Sequence, residues 1–225
     1  MKQTAYFKFL SLFGMLLVTT KLCSMLFAQR VFEVYGIIFP GGILPFCITF
    51  MLLDIITNNY GLKNARKIII FNLFCEAVMT LITLLSLEIT PSRLFQHEYE
   101  FQEVMTPFLK LFVASISATL IAYLLNCYIF SKLYYSFKGK LLWLRCILAT
   151  AVGELVFSVI WTTIFFWKQL NINTINTLVI DQYLFKIIFE IVSLPITYII
   201  VQLLDKYEIN AEIEWENFKP IHHGR

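Results

Sequence analysis

Residues 141–166 read LLWLRCILATAVGELVFSVIWTTIFF. Beyond Arg145 this run carries a single charge, Glu154. It is long enough to cross the hydrocarbon core of a bilayer, for which about 20 apolar residues suffice. Thr150, Gly153, Glu154, Ser158 and Trp161 fall at helical spacing and share one face. A charge at mid-bilayer costs at least ~2.5–3.5 kcal/mol on insertion scales. That face is therefore expected to look into a helix bundle or a wet cavity, with the remaining faces turned to lipid.

Working outward, five more runs have the same character, at roughly 6–28, 37–57, 66–87, 108–131 and 183–204. Over the 225 residues, 59% are hydrophobic and only 15% are charged, with a mean hydropathy of +0.73. A soluble domain carries about 25% charged residues. So few charges cannot cover a water-facing surface, which excludes a soluble enzyme, a nucleic-acid reader and a disordered chain. Strand alternation is absent, which argues against a β-barrel. The expected fold is an all-α integral membrane protein of six transmembrane helices, forming one domain over residues 1–225. Its longest extramembrane pieces are 88–107, 167–182 and the tail 205–225. The first run has the basic start and apolar stretch of a secretory signal. Lys21 interrupts it, and Leu26-Phe27-Ala28 is a poor cleavage site, so a retained helix is expected.

Basic residues set the orientation. With the N-terminus inside, the cytoplasmic side holds Lys2, Lys8, Lys63, Arg66, Lys67, Lys132, Lys138, Lys140, Arg145, Lys206, Lys219 and Arg225. The outer side holds only Arg30, Arg93, Lys110 and Lys168. Both termini are expected to be cytoplasmic.

Six charges lie within the spans: Lys21, Asp54, Glu76, Glu154, Lys186 and Glu190. Polar residues accompany them at helical spacing: Asn72, Glu76, Thr80 and Thr83; Ser115, Thr119, Tyr123 and Asn126; Tyr183, Lys186, Glu190, Ser193 and Thr197. Small and hydroxyl residues can simply hold helices together, whereas buried carboxylates point to a binding or proton-handling role. Lys186 and Glu190, four residues apart, could also form a structural pair. Asp54 lies near the cytoplasmic end of its span and could snorkel to the interface. Pro40-Gly41-Gly42 and Pro45 suggest either a discontinuous helix lining a cavity or a turn with Pro45 in the first turn of a helix.

Several chemistries lack their residues. No span contains histidine; His97, His222 and His223 lie in polar segments. No phosphate loop is present. Cys23, Cys47, Cys75, Cys127 and Cys146 form no C-x-x-C pair, so neither a metal site nor a disulfide framework is indicated. No cofactor and no nucleic-acid partner is expected. Asp54, Asn58, Tyr60 and Lys63 could hold a lipid phosphate, as in a membrane-embedded lipid enzyme, but without metal-ligand spacing.

The order of short motifs resembles one family. Ile48-Thr49-Phe50-Met51-Leu52-Leu53-Asp54, then Asn59-Tyr60-Gly61 and Asn64-Ala65-Arg66-Lys67, are similar to the signature of the bacterial queuosine precursor transporters, also called vitamin uptake transporters. Ile129-Phe130-Ser131-Lys132-Leu133 and Leu142-Trp143-Leu144-Arg145, then Ala149-Thr150 and Gly153, follow in register. Tyr183, Phe185, Lys186, Leu194, Pro195 and Tyr198 complete a match over about 40–205. The chain departs from the family at Cys47 (a proline there), Asn58 (often a glutamate), Asn126 and Phe157 (aspartates) and Glu154 (an amide). The resemblance implies a multi-pass carrier of the bacterial inner membrane, not an enzyme. It would import a 7-deazaguanine (the nitrile preQ0, the aminomethyl preQ1, or queuine) for transfer-RNA modification. Its partners would be that small molecule and the lipid bilayer, with a homo-oligomer left open.

On this reading the expected substrate site comprises Asp54, Tyr123, Asn126, Glu154, Phe157, Trp161, Tyr183 and Lys186. The aromatics would stack on a flat base, Asn126 would offer a donor and an acceptor, and Glu154 would accept from a guanine-like edge. Lys186 would donate to a carbonyl, and Asp54 would gate or carry a proton. The four carboxylates outnumber the two lysines in the spans, which suggests either a cationic ligand or proton coupling. A rival of different class is the substrate-binding subunit of an ATP-driven vitamin uptake complex. Such a subunit would show small residues on the first span for docking, where this chain has only Gly14 as a glycine.

Overall fold

Lipid offers a backbone no hydrogen-bond partner, so apolar runs of this length satisfy their own amides by coiling. The computed structural model describes residues 9–207. In chain order it contains α1 (Leu10–Phe27), β1 (Val31–Val34), β2 (Ile37–Pro40), α2 (Ile43–Glu88), α3 (Glu98–Met105), α4 (Phe108–Ser136), α5 (Leu142–Phe166) and α6 (Ile172–Tyr207). Among the described residues, five helices are long and apolar enough to cross a membrane. Lys2, Lys8, His222, His223, Lys219 and Arg225 lie outside the described residues.

The 46 residues of α2 would span about 69 Å if straight, more than twice the ~30 Å hydrocarbon core. They do not run straight. Gly61 has φ 81° and ψ 164°, a conformation essentially confined to glycine. The contacts of α1 follow the chain out and back. Phe13 faces Tyr60 at 6.5 Å between ring centroids, and Gly14 lies against Ile68. At the far end of α1, Ser24 lies against Gly42. The runs expected at 37–57 and 66–87 are thus the two arms of one element that reverses at Gly61.

The two ends of the bundle are held by different contacts. Around Gly61, Arg145 Nη2 donates to Asn58 Oδ1 (3.1 Å) and to the Gly139 carbonyl (3.2 Å), and Asn59 donates to Asp205 (3.0 Å). At the opposite end, Lys110 donates to the Trp167 carbonyl (3.3 Å) and Gln29 to that of Val104 (2.5 Å). Lys63, Arg66, Lys67, Lys138, Lys140 and Lys206 gather at the Gly61 end, and Arg30, Arg93, Lys110 and Lys168 at the other.

Two boundaries differ from the hydropathy reading. Residues 37–40 do not open a span; they pair antiparallel with 31–34, Val34 opposite Ile37. Tyr35 (φ 53°) and Gly36 (φ 80°) make the two-residue turn with both φ positive that suits a hairpin. Hydropathy cannot separate a short apolar strand from the start of a helix; the β-branched and aromatic side chains here favour the strand. The hairpin packs on α6, where Ile38 N–H donates to Asp181 Oδ2 (3.2 Å) and Phe39 stacks on Phe185 at 5.4 Å. The sixth run also starts earlier, at Ile172 instead of 183, because Asn171 ends the preceding turn and the polar residues after it continue the helix beyond its apolar part. Pro45 sits in the first turn of α2, after Gly41-Gly42.

Helix rotation matches the polar spacing. Asn72, Glu76, Thr80, Ser115, Thr119, Tyr123, Asn126, Thr150, Glu154, Ser158, Lys186, Glu190, Ser193 and Thr197 are all buried. Ile70, Phe71, Phe74 and Ile82 of α2 and Ile188, Val192 and Ile196 of α6 are exposed. A soluble monomer does not display apolar surface on this scale; the bundle keeps its polar side chains inside, among a hydrophobic core, and turns apolar ones outward, as lipid requires.

Candidate functional site

The buried polar faces converge on a cavity of about 30 Å³, room for about two water molecules. Lys21 and Ser24 reach it from α1, Phe46 from α2, Ser115 from α4, Phe157 and Trp161 from α5, and Gln182 and Lys186 from α6. Five helices therefore contribute to one site. It lies nearer the hairpin than the Gly61 end, because Pro40 and Gly42 also border it.

Lys186 decides the site's electrostatics. Its Nζ lies 3.1 Å from Glu154 Oε2 and donates to Ser158 Oγ at 3.0 Å. Glu190, the neighbour one turn away on its own helix, is not its ion-pair partner. Lys186 Nζ also stands over the rings of Phe46 (4.4 Å) and Phe157 (4.8 Å). Lys21 Nζ approaches the same two rings, at 4.8 Å from each. Two ammonium groups thus share two aromatic faces, an arrangement that gains strength where water is excluded. Glu76 is the main countercharge of Lys21, and its carboxylate accepts from Asn72 Nδ2 and Ser115 Oγ, both at 2.6 Å.

The expected site residues divide into groups. Phe157, Trp161 and Lys186 border the cavity, and Glu154 stands behind them as the ion-pair partner of Lys186. Tyr123 backs them: its hydroxyl bonds Thr49 Oγ1 at 2.6 Å and its ring meets Phe50 edge-on at 4.8 Å. Asp54 and Asn126 lie deeper, towards Gly61, linked through Thr150. Asn126 Nδ2 donates to Thr150 Oγ1, and Thr150 Oγ1 donates to Asp54 Oδ2, both at 3.3 Å. Tyr183 is half-buried and is not among the residues that border the cavity. Lys21, Ser24, Phe46, Ser115 and Gln182 border the cavity but are not among the site residues expected from the sequence. Phe46 lies in an apolar run that gives it no local signal, and Lys21 is legible in the sequence only as a charge within a span. Gln182, which donates to Thr162 Oγ1, could have been found by stepping back four residues from Lys186.

A separate feature lies at the Gly61 end. Arg145 is buried, its guanidinium between the rings of Phe130 (4.9 Å) and Tyr134 (4.8 Å). Nε and Nη1 have no hydrogen-bond partner among the described residues. The residue facing it, Asn58, stands where the resembled family often has glutamate. Asn58→Glu should therefore stabilise the protein by on the order of 1 kcal/mol, by adding charge-assisted hydrogen bonds to a buried guanidinium. Thermal unfolding in detergent, with Asn58→Asp as the shorter control, measures this. A lower midpoint for Asn58→Glu would refute it.

Helices long and apolar enough to cross a membrane, packed around a buried, charged and aromatic cavity, define a multi-pass membrane protein. Residues 40–200 match the family model described as "Putative vitamin uptake transporter", and the chain belongs to that family. Comparison with curated proteins and with solved structures gives no match.

Proposed function

We propose that this protein imports a queuosine precursor, a 7-deazaguanine, across the bacterial inner membrane, with six spans and both termini cytoplasmic. The span count follows from treating the arms of α2 on either side of Gly61 as separate crossings, and the orientation from the basic residues gathered at the Gly61 end. The chain acts as a carrier and not as an enzyme.

The observation that carries the substrate reading is the Glu154–Lys186 pair beside the faces of Phe46 and Phe157. A guanine-like edge presents a carbonyl oxygen next to N–H donors. Such a base can satisfy Lys186 and Glu154 together as it parts them, and its flat faces suit the rings. The cavity is smaller than a bicyclic base, so entry requires side-chain movement at the cavity wall. Glu154 and Lys186 neutralise each other, and the formal charges of Lys21 and Glu76 offset one another, so the charges around the cavity sum to zero. Neutral preQ0 and cationic preQ1 are thus both admitted on electrostatic grounds.

The test is uptake of labelled preQ0, preQ1 and queuine in a strain lacking de novo synthesis, and by the purified chain alone in liposomes without ATP. Uptake in both settings is expected. Uptake in cells but not in liposomes would favour the subunit of an ATP-driven complex, and no uptake of any deazaguanine would overturn the substrate assignment.

A further inference from the structure

The interior charges pair off unevenly. Glu154 has Lys186, and the Glu76 carboxylate is held by hydrogen bonds from Asn72 and Ser115 and acts on Lys21 from a distance. Asp54 and Glu190 remain, and the fold brings these two together. One donor atom each from Asp54, Cys146 and Glu190 lies within 4.8 Å of the others, and all three residues are buried, from α2, α5 and α6. Asp54 Oδ2 accepts from Thr150, but Asp54 Oδ1 and Glu190 Oε1 have no hydrogen-bond partner. Asn126 Oδ1, in the side chain that donates to Thr150, is also buried and without a donor. The place leaves one oxygen of each carboxyl without a donor and holds the two carboxyls too close for both to be ionised in a low-dielectric interior.

A proton meets both requirements at once. It removes one negative charge and supplies the O–H donor that the facing oxygens lack. Hard metal cations take six or more oxygen ligands, whereas two carboxyls, one hydroxyl and a thiol face each other here. The surrounding ionisable groups are Cys146, Arg145 and Glu154 on α5, Cys127 on α4 and Cys47 on α2. Arg145 turns its guanidinium towards Asn58 and Gly139, and Glu154 is engaged by Lys186. We propose that Asp54 and Glu190 hold one exchangeable proton between them, and that this proton is the coupling ion of the carrier.

The placement suits that role, which rests on the carrier reading above. Glu190 is one helical turn from Lys186 on α6, and Thr150 is one turn from Glu154 on α5. The carboxyl pair therefore sits one turn from the cavity's ion pair on two helices, on the side of the Gly61 reversal. Parting Glu154 from Lys186 changes the charge next to Glu190 and so the pull on its proton.

Two measurements on the purified full-length chain decide it. The first is an infrared pH titration without substrate, in H₂O and D₂O. A deuterium-sensitive band of a protonated carboxyl should bleach with rising pH in the wild type and be lost in Asp54→Asn and Glu190→Gln. A wild type with no such band, or variants that retain it unchanged, would overturn the proposal, whatever the substrate. The second is transport in liposomes of labelled preQ1. Glu190→Gln should keep tracer exchange at equal pH and lose accumulation driven by an inside-alkaline gradient. Accumulation driven by sodium and indifferent to the pH gradient, or pH-driven accumulation surviving in Glu190→Gln, would sink the coupling role. Failure of the wild type to move any deazaguanine overturns the substrate assignment instead, and leaves the infrared result to decide the proton pair.

Discussion

Lys186→Met should lower stability by about 3–5 kcal/mol and abolish uptake. The substitution keeps much of the side chain's volume and removes only the charge. It leaves the Glu154 carboxylate, 1% exposed, without the ammonium that stands 3.1 Å away. Removing one member of a buried ion pair is costly because the survivor stays buried and uncompensated. Glu154→Gln should be the milder change. The lysine it strands still donates to Ser158 at 3.0 Å and still lies over the rings of Phe46 and Phe157. Combining the two substitutions removes both charges and should recover most of the stability, while uptake stays lost because neither the donor nor the acceptor for a base remains. Thermal unfolding in detergent for the two single variants and the double variant closes the cycle. A Lys186→Met protein as stable as the wild type would show that the pair carries no such energy.

Spacing of four residues suggested Lys186 with Glu190, because on one helix those side chains are neighbours. Partner choice between helices depends on their rotation and height, which spacing within each helix leaves open. The packing of α5 on α6 brings Glu154 to the lysine and sends Glu190 to Asp54 on α2. Burial, by contrast, was legible, since Ser115, Thr119, Tyr123 and Asn126 needed only a common face and a reason to avoid lipid. Hydropathy also located the apolar runs. It failed at residues 37–40, where strand and helix have equal claim on an apolar run, and it could not foresee that Gly61 joins two runs into one reversing element. Phe46 was invisible for a different reason: in a span full of apolar residues, nothing local distinguishes the phenylalanine that meets two lysines from those that meet lipid.

Gly42→Ala should disrupt the junction of α1 with α2 and, through it, the cavity. A Cβ built at this position would fall 2.1 Å from the Ser24 carbonyl oxygen and 3.0 Å from its carbon. Both are backbone atoms of a helix, so no rotamer change relieves the clash, and the two elements must move apart. Gly41 beside it is constrained less severely, since its Cβ would lie 2.9 Å from the Arg30 carbonyl oxygen. Overpacking of this kind costs about 1–3 kcal/mol, occasionally more. Function should suffer further, because Ser24, Met25, Gly42 and Ile43 all border the cavity. Gly14→Ala is the internal control. It too lies in α1 against α2, but its Cβ would meet only Ile68 Cδ1 at 3.6 Å, an ordinary contact. Alanine is also the better helix former by about 1 kcal/mol. Gly14→Ala should therefore match or exceed wild-type stability and keep uptake, whereas Gly42→Ala should lose both. If Gly42→Ala unfolded at the wild-type temperature and transported normally, the close approach of the two backbones would not be what sets the cavity wall.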